Sequence, residues 1–443
     1  MELYASALLY AIPFFTLLII IELIGGRIKN GNSKFFSNFD TISSLSSGFT
    51  NTLRDVIGLG VLSLIAYPFV LKHLNIFNVG NHWYAYVLAA ICLDFAGYWM
   101  HRVMHGVNYF WNSHVIHHSS ERYTLGCALR QSFTPEITIY GLFLIPAAIL
   151  GIPVEVFALV VPIHLFAQFW YHTELIGNLG FIEWILVTPQ QHSIHHAINK
   201  EYLDKNFSQI FSIWDRLFGT YQPLIEGVKP VYGVTRPPRT WNPFKIGLYH
   251  LWQLTKDAWR TKSWSDKFTI WFRPLGWRPK DVEEQYPLAK IEDVYTYKEY
   301  TTEPSLFFTV WAWIQLVTTL LLLTFLFYQI GFINKSSSEL LLANKNGEMI
   351  GYNLALYVGY ILFNIYAYTS VMDREKVGGV LMTVSSAVGY YILFGITKGT
   401  WFNLNDIIPF GTVLLTAIFA FSGIGALFIT SKKGDKSPAI ANR

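Results

Sequence analysis

The sequence predicts an all-α fold: a polytopic bundle of about nine membrane-spanning helices carrying a mostly helical cap on the cytoplasmic side. Two observations lead there. Hydrophobic residues make up 52% of the 443-residue chain and charged residues only 14%, against about 25% charge in a soluble domain, so lipid is part of this chain's solvent. Apolar stretches close to the roughly 20 residues that cross a hydrocarbon core then recur along the sequence, interrupted once by a long mixed segment.

The first stretch, Leu3 to Ile24, reads as a retained anchor, because it has neither the basic start nor the small-residue cleavage pattern of a secretory signal. Ile57 to Leu74 and Trp83 to Met100 are the next spans. Ile137 to Trp170 is longer and is broken by Gly151 and Pro153, which suits a helical hairpin turning near the far membrane surface. From Phe181 to Glu303, prolines, charges and tryptophans mix without a clean apolar run, as expected of an extramembrane or interfacial cap. Spans resume at Leu306 to Tyr328, Leu354 to Val371, Val377 to Ile396 and Ile407 to Ile429. The chain thus divides into a membrane domain with histidine clusters (1–240), a cap and linker (241–304), a C-terminal four-helix membrane domain (305–430) and a polar tail (431–443).

Arg27, Lys29 and Lys34 follow the first span, and Lys432, Lys433 and Lys436 follow the last; with an odd number of crossings both sets lie on the cytoplasmic side. The same count places His101, His118, His172 and the cap there. The membrane would be the plasma membrane of a bacterium or the endoplasmic reticulum of a eukaryote. A net charge of +4 without a basic run argues against nucleic acid as a partner. The two cysteines, Cys92 and Cys127, cannot build a disulfide framework or a Cys-rich zinc site.

Chemistry concentrates in three histidine clusters: HRVMH at His101 and His105, HVIHH at His114, His117 and His118, and HSIHH at His192, His195 and His196. On a helix, residues three or four apart share a face, so each cluster presents its imidazoles together. These boxes hold eight of the 13 histidines, and at that abundance one HxxHH is expected by chance only about 0.01 times. Eight imidazoles exceed the roughly four ligands that one metal takes, so the count fits two metals. Imidazole suits zinc, copper, iron and nickel alike, but zinc has no redox chemistry, whereas neutral ligands with open positions beside a membrane suit dioxygen activation by iron. His172, at the end of HLFAQFWYHTE, is a further candidate ligand. Gln168 and His164 lie one and two turns before it and, with Asp94 inside an apolar span on the stripe of Tyr98, His101 and His105, are candidates for orienting the ligands. His73, His82 and His250 read as ordinary interfacial histidines. No histidine occurs in the C-terminal spans, and the acids Glu339, Glu348, Asp373, Glu375 and Asp406 fall in their connections.

HxxxH, HxxHH and HxxHH in this order resemble the boxes of the fatty acid hydroxylase and sterol desaturase superfamily. The segments HHSSERYTLGCALRQS from His117, QFWYHTELIGNLGFIEWILVTPQQHSIHHAINKEYLDKN from Gln168, IWDRLFGTY from Ile213 and VYGVTRP from Val231 are most similar to its alkylglycerol monooxygenases. The likeness implies a centre of two iron ions using dioxygen, with the boxed histidines as the metal-binding set. It implies a membrane lipid as substrate, the ether bond of an alkylglycerol being cleaved by hydroxylation of the ether-linked carbon to give a fatty aldehyde and a glycerol derivative. It also implies an electron donor, tetrahydrobiopterin or alternatively a redox protein; Trp184 and Trp214 are candidate stacking surfaces for a pterin. The sequence departs from that group directly after the first box, where the group carries a glutamate and this chain has Gly106. The alternatives are a sterol, fatty acid or carotenoid hydroxylase or desaturase of the same superfamily, and, outside it, a membrane electron-transfer or metal-transport protein. A haem bundle leaves the HxxHH triplets unexplained, and a transporter would hold its ligands near the midplane.

Overall fold

The computed structural model describes residues 2–30, 35–56, 66–134, 139–302, 304–332, 350–402 and 404–431, and among these it contains helices, turns and three isolated bridges but no strand. Lys34, Glu303, Glu339, Glu348, Lys432, Lys433, Lys436 and the first half of the stretch Ile57 to Leu74 lie outside the described residues.

Helix α1 (Glu2–Asn30) is apolar on nearly every side and packs against α15 (Leu306–Phe332), the first C-terminal span. Between them in sequence, α2 (Asn38–Val56) is of another kind. It buries Asp40, Ser43, Ser44, Ser46, Ser47 and Thr50, a row that hydropathy cannot mark as interior. The hydroxyls are satisfied across the molecule: Ser43 donates to the Trp241 carbonyl at 2.8 Å, Ser47 to that of Gln131 at 2.6 Å, and Ser46 shares a 2.5 Å bond with the Tyr368 hydroxyl. This polar pillar ties the histidine-bearing half, the cap and the C-terminal helices into one body.

Five helical stretches among the described residues are long and apolar enough to cross a membrane: Ala7–Lys29, Leu306–Ile330, Leu354–Met372, Lys376–Ile396 and Gly411–Ser431. They make this an integral membrane protein, but the count of nine is not reproduced. Trp83 to Met100 forms α4 (Trp83–Gly106), whose apolar run is diluted by Asp94 and by aromatic residues, while α3 (Ala66–Leu74) is all that is described of the preceding stretch. Ile137 to Trp170 does turn at Gly151, where φ is +70°, but its arms are short. They are α7 (Tyr140–Phe143), α8 (Ile145–Ile149) and α9 (Val154–Phe166). The 13 residues of α9 reach about 20 Å, short of a hydrocarbon core of about 30 Å. Hydropathy marks such a stretch as apolar without saying how far it reaches.

The remaining helices are α5 (Asn108–His118), α6 (Leu125–Ala128), α10 (Pro189–His195), α11 (Ile213–Leu217), α12 (Pro243–Arg260), α13 (Trp264–Thr269), α14 (Lys280–Gln285), α16 (Ile350–Met372), α17 (Lys376–Tyr390) and α18 (Gly411–Ser431). Small residues let the C-terminal helices approach closely. A Cβ at Gly425 would stand 2.6 Å from the ring of Trp311, which is fully buried.

Asp373 at the end of α16 latches that bundle to the cap: it accepts from the Trp241 amide at 2.8 Å, from the Tyr300 hydroxyl at 3.1 Å and from the Thr240 hydroxyl. Burial pushes its carboxyl up to about 6. With the folded value above the ordinary 3.8, the folded state takes up the proton first, so this group favours folding more as pH falls through 6 and no further below about 4. The melting-temperature difference between wild type and Asp373→Asn in detergent is therefore expected to move toward the wild type from pH 7 to pH 5. A difference independent of pH would contradict the assignment.

Candidate metal centre

Four chain segments supply the imidazoles. The last two turns of α4 carry His101 and His105. After an extended residue at Val107 the chain re-enters a helix as α5, with His114, His117 and His118. The corner is fixed by buried Asn108, whose amide donates to the carbonyls of Ile270 at 3.0 Å and Trp277 at 3.2 Å and whose oxygen accepts from the Gly276 amide at 3.1 Å. Gly106 ends α4 with open space around the position of a Cβ, and its carbonyl accepts from Leu275 at 3.1 Å. His172 stands in the turn after α9. The third box is carried by α10, which starts at a capping box: the Thr188 side chain accepts from the Gln191 amide while the Gln191 side chain reaches the Thr188 amide.

The nine imidazoles form two groups, His101, His105, His114, His118 and His195 in one and His117, His172, His192 and His196 in the other, with the ligand atoms of each within 4.8 Å of one another. Helix geometry explains the division. In HVIHH, His114 and His118 lie four residues apart on one face and join the first group, while His117, about 100° away from His118, turns to the second. In HSIHH the rule is mirrored: His192 and His196 join the second group and His195 the first. Each adjacent pair therefore straddles the two groups, and the stacked rings of His118 and His196, 4.3 Å apart, form the wall between them.

Within each group the Nε2 atoms face one another. His101 and His114 are 2.9 Å apart, and His118 lies 3.2 Å from His105, 3.1 Å from His114 and 3.0 Å from His195. In the second group His172 lies 3.4 Å from His117 and 3.0 Å from His192, which lies 3.1 Å from His196. A neutral imidazole has one N–H, so His118 cannot satisfy three such neighbours by hydrogen bonding. In several rings that N–H is already used: Nδ1 of His101 donates to the Phe207 carbonyl at 2.7 Å, Nδ1 of His195 to Lys205 at 2.9 Å, and Nδ1 of His172 to Gln168 at 3.0 Å. Their Nε2 lone pairs consequently converge, which is repulsive unless a cation lies between them. With metal–nitrogen bonds of about 2.1 Å, neighbouring ligands stand about 3.0 Å apart around an octahedral ion and about 3.4 Å around a tetrahedral one. The observed spacings are of that size, so the residues fit a metal in each group. Except for half-buried His114, the rings are buried. Desolvation, then mutual repulsion, pushes His118, His172, His192, His195 and His196 well below the ordinary imidazole value, and burial above all brings His117 down to about 3. All are neutral donors at physiological pH.

The three residues expected to orient ligands take unequal places. Gln168 does so through its backbone, by the bond to His172 above, and its side chain donates to His164 Nδ1 at 3.0 Å. His164 joins neither group; its Nε2 meets Asp94 at 2.9 Å. Asp94 is fully buried and makes no hydrogen bond to the grouped imidazoles. Besides His164 it accepts from the amides of Ile210 at 2.8 Å and Phe211 at 3.0 Å and from the Trp214 indole at 2.8 Å. It shares the helix stripe of Tyr98, His101 and His105, but seven residues separate it from His101, about 10 Å along the helix. It fixes instead the loop that contains Phe207, the acceptor for His101. Of the two candidate pterin rings, Trp214 is engaged with Asp94 and Phe95, and Trp184 stacks on Arg216 at 4.1 Å.

Several contributors escaped sequence reasoning. Asp215 accepts from the amides of Phe207 at 2.8 Å and Ser208 at 2.9 Å, shaping the same loop. Buried Arg130 pairs with Asp40 at 3.0 Å, and Asp40 also receives the Ser120 hydroxyl at 2.6 Å, two residues past the second box. Trp111 lies 4.9 Å from His105, Phe207 5.3 Å from His105, Tyr171 4.4 Å from His192 and Tyr123 5.3 Å from His196 (ring centroids), enclosing the site in aromatic rings. The segment WDRLFGTY holds Asp215 and its partner Thr220, while Phe207 and Ser208 follow LDKN directly; a lone Asp40 has no local signal.

Comparison with known proteins gives a consistent picture. The profile of the Fatty acid hydroxylase family matches residues 86–220, the span from α4 through the third box to α11. Alkylglycerol monooxygenase of Homo sapiens is 38% identical over 271 residues, covering 61% of this chain and 59% of the human protein. Alkylglycerol monooxygenase of Xenopus tropicalis is 31% identical over 380 residues, 84% of this chain and 79% of that protein. The ornithine lipid hydroxylase OlsE of Rhizobium tropici is 29% identical over 135 residues, 30% of this chain and 41% of its own length. No solved structure matches.

Proposed function

Because this chain belongs to the alkylglycerol monooxygenase family, within the fatty acid hydroxylases, we propose that it is a membrane di-iron monooxygenase that cleaves the ether bond of alkylglycerols. The observation that carries the reading is the sorting of nine neutral imidazoles into groups of five and four with their Nε2 atoms converging. His101, His105, His114, His118 and His195 would hold one iron, and His117, His172, His192 and His196 the other. Bound iron supplies the activation of dioxygen, a task for which redox-inert zinc is unsuited.

The chain's own residues set the conditions. Carbonyls of Phe207, Lys205 and Gln168 hold three ligand rings in one tautomer and orientation, and the rings of Trp111, Phe207, Tyr123 and Tyr171 keep water from the donors. The overall reaction takes one dioxygen, two electrons and two protons. One oxygen atom enters the C–H bond next to the ether oxygen, the other leaves as water, and the hemiacetal so formed falls apart to a fatty aldehyde and a glycerol derivative. The site joins the end of α4 to the cap, where the positive-inside reading puts the cytoplasm and a soluble reductant, a reduced pterin or a redox protein, could reach it. The test is turnover of an alkylglycerol by purified, iron-loaded protein with and without tetrahydrobiopterin. Aldehyde release only with the reduced pterin is expected; release with a redox protein alone would replace the pterin, and no aldehyde with either would set the ether-cleaving reading aside.

A further inference from the structure

We infer that α12, α13 and the turn through Phe272 form an interfacial anchor that lies on the bilayer and recognises anionic lipid headgroups. Leu248, Trp252 and Trp259 are 41%, 63% and 86% exposed and follow one another at i, i+4 and i+11 along one face of α12. Trp264, Phe268 and Phe272 continue at four-residue spacing and are 72%, 68% and 71% exposed. The other face of α12 is buried through Ile246, Gly247 and Leu254, with a Cβ at Gly247 3.3 Å from Phe133 and 3.8 Å from Ile116 of α5. The segment therefore has a settled inner face and an apolar outer face with no protein cover among the described residues.

Charge identifies what covers it. Between Pro243 and Arg278 there are seven basic residues and two acidic ones; Arg278 pairs with Asp257 at 2.7 Å and Lys245 with Glu375, which leaves five bases and one acid. Arg260, Lys262 and Arg273 are exposed, and Lys256 and Lys267 lie beside the outer rings, their ammonium groups 6.0 Å from Trp252 and 5.8 Å from Trp264. Exposed tryptophan and phenylalanine interleaved with cations is the composition that settles at an anionic membrane surface. Height agrees. The N-terminus of α12 is held at the end of a membrane span, by Asn242 to the Ser370 hydroxyl at 3.1 Å and by Lys245 to Glu375 at 2.5 Å, just past Met372. Since α12 also packs on α5, the anchor fixes the level of the second histidine box relative to the lipid.

The experiment uses the full-length chain in nanodiscs, with an environment-sensitive fluorophore on Trp259→Cys or Phe268→Cys; Cys92 and Cys127 are buried. Both probes should be quenched by lipid-borne nitroxide and shielded from aqueous iodide, about three-fold more strongly when phosphatidylglycerol is present than in phosphatidylcholine alone. Adding K256E, R260E and K262E should remove that preference. Iodide access equal in both lipids, without nitroxide quenching, would overturn the inference. So would shielding that rises with protein concentration and ignores lipid composition, because a second copy would then be the cover.

Discussion

Replacing His118 with alanine is expected to abolish turnover and to lower iron to about one per chain or less while the protein stays folded and inserted. Its Nε2 stands within 3.2 Å of the Nε2 atoms of His105, His114 and His195, and its ring stacks on His196 of the other group. Among the described residues no other grouped imidazole has three Nε2 neighbours this close, so its loss opens the first group and unseats the wall of the second. The matched control is His250→Ala. That imidazole is half-buried and pushed down to about 4 by desolvation, but its Nε2 pairs with the Asn108 carbonyl at 3.1 Å and it belongs to neither group. Iron and turnover in that variant should stay within about three-fold of wild type. The measurements are metal content by mass spectrometry and aldehyde release; a His118→Ala protein that kept two irons would remove His118 from the ligand set.

Asp94→Ala is expected to reduce iron affinity or turnover by about 10-fold or more without touching a ligand. It would leave His164, two backbone amides and the Trp214 indole without their acceptor in a fully buried place, at about 1–3 kcal/mol for each orphaned donor that water cannot reach. The loss acts on the loop after Phe207, and through it on the tautomer of His101. Asp94→Asn keeps one acceptor oxygen and should fall between wild type and alanine. A loss of affinity is distinguished from unfolding by titration: added iron should restore occupancy to inserted Asp94→Ala protein. Unchanged affinity and turnover would make Asp94 a packing residue only.

The two predictions also mark how far the sequence could be read. The boxes were legible because their information is local: spacing of three and four on a helix puts imidazoles on one face, and His172 lay two turns past His164 at the end of an apolar helix. The sorting of adjacent histidines into opposite groups follows from the same 100° per residue, but only once two helices are known to face each other. Asp94 was legible as a costly buried acid, yet its partners at Ile210, Phe211 and Trp214 lie more than 100 residues away, and no local rule reaches them. The C-terminal spans were plain because apolar length is itself the signal. The polar interior helix α2 and the short arms around Gly151 were not, since hydropathy reports neither a satisfied row of hydroxyls nor how deep an apolar helix sits.

The central claim is that the nine imidazoles serve two metal ions rather than one ion or none. Iron per chain, measured together with iron X-ray absorption on the purified full-length protein, tests it most directly. Two irons per chain, each with a nitrogen shell near 2.1 Å and imidazole scattering, is the result expected. A single metal per chain, zinc in place of iron, or a haem signature would contradict it.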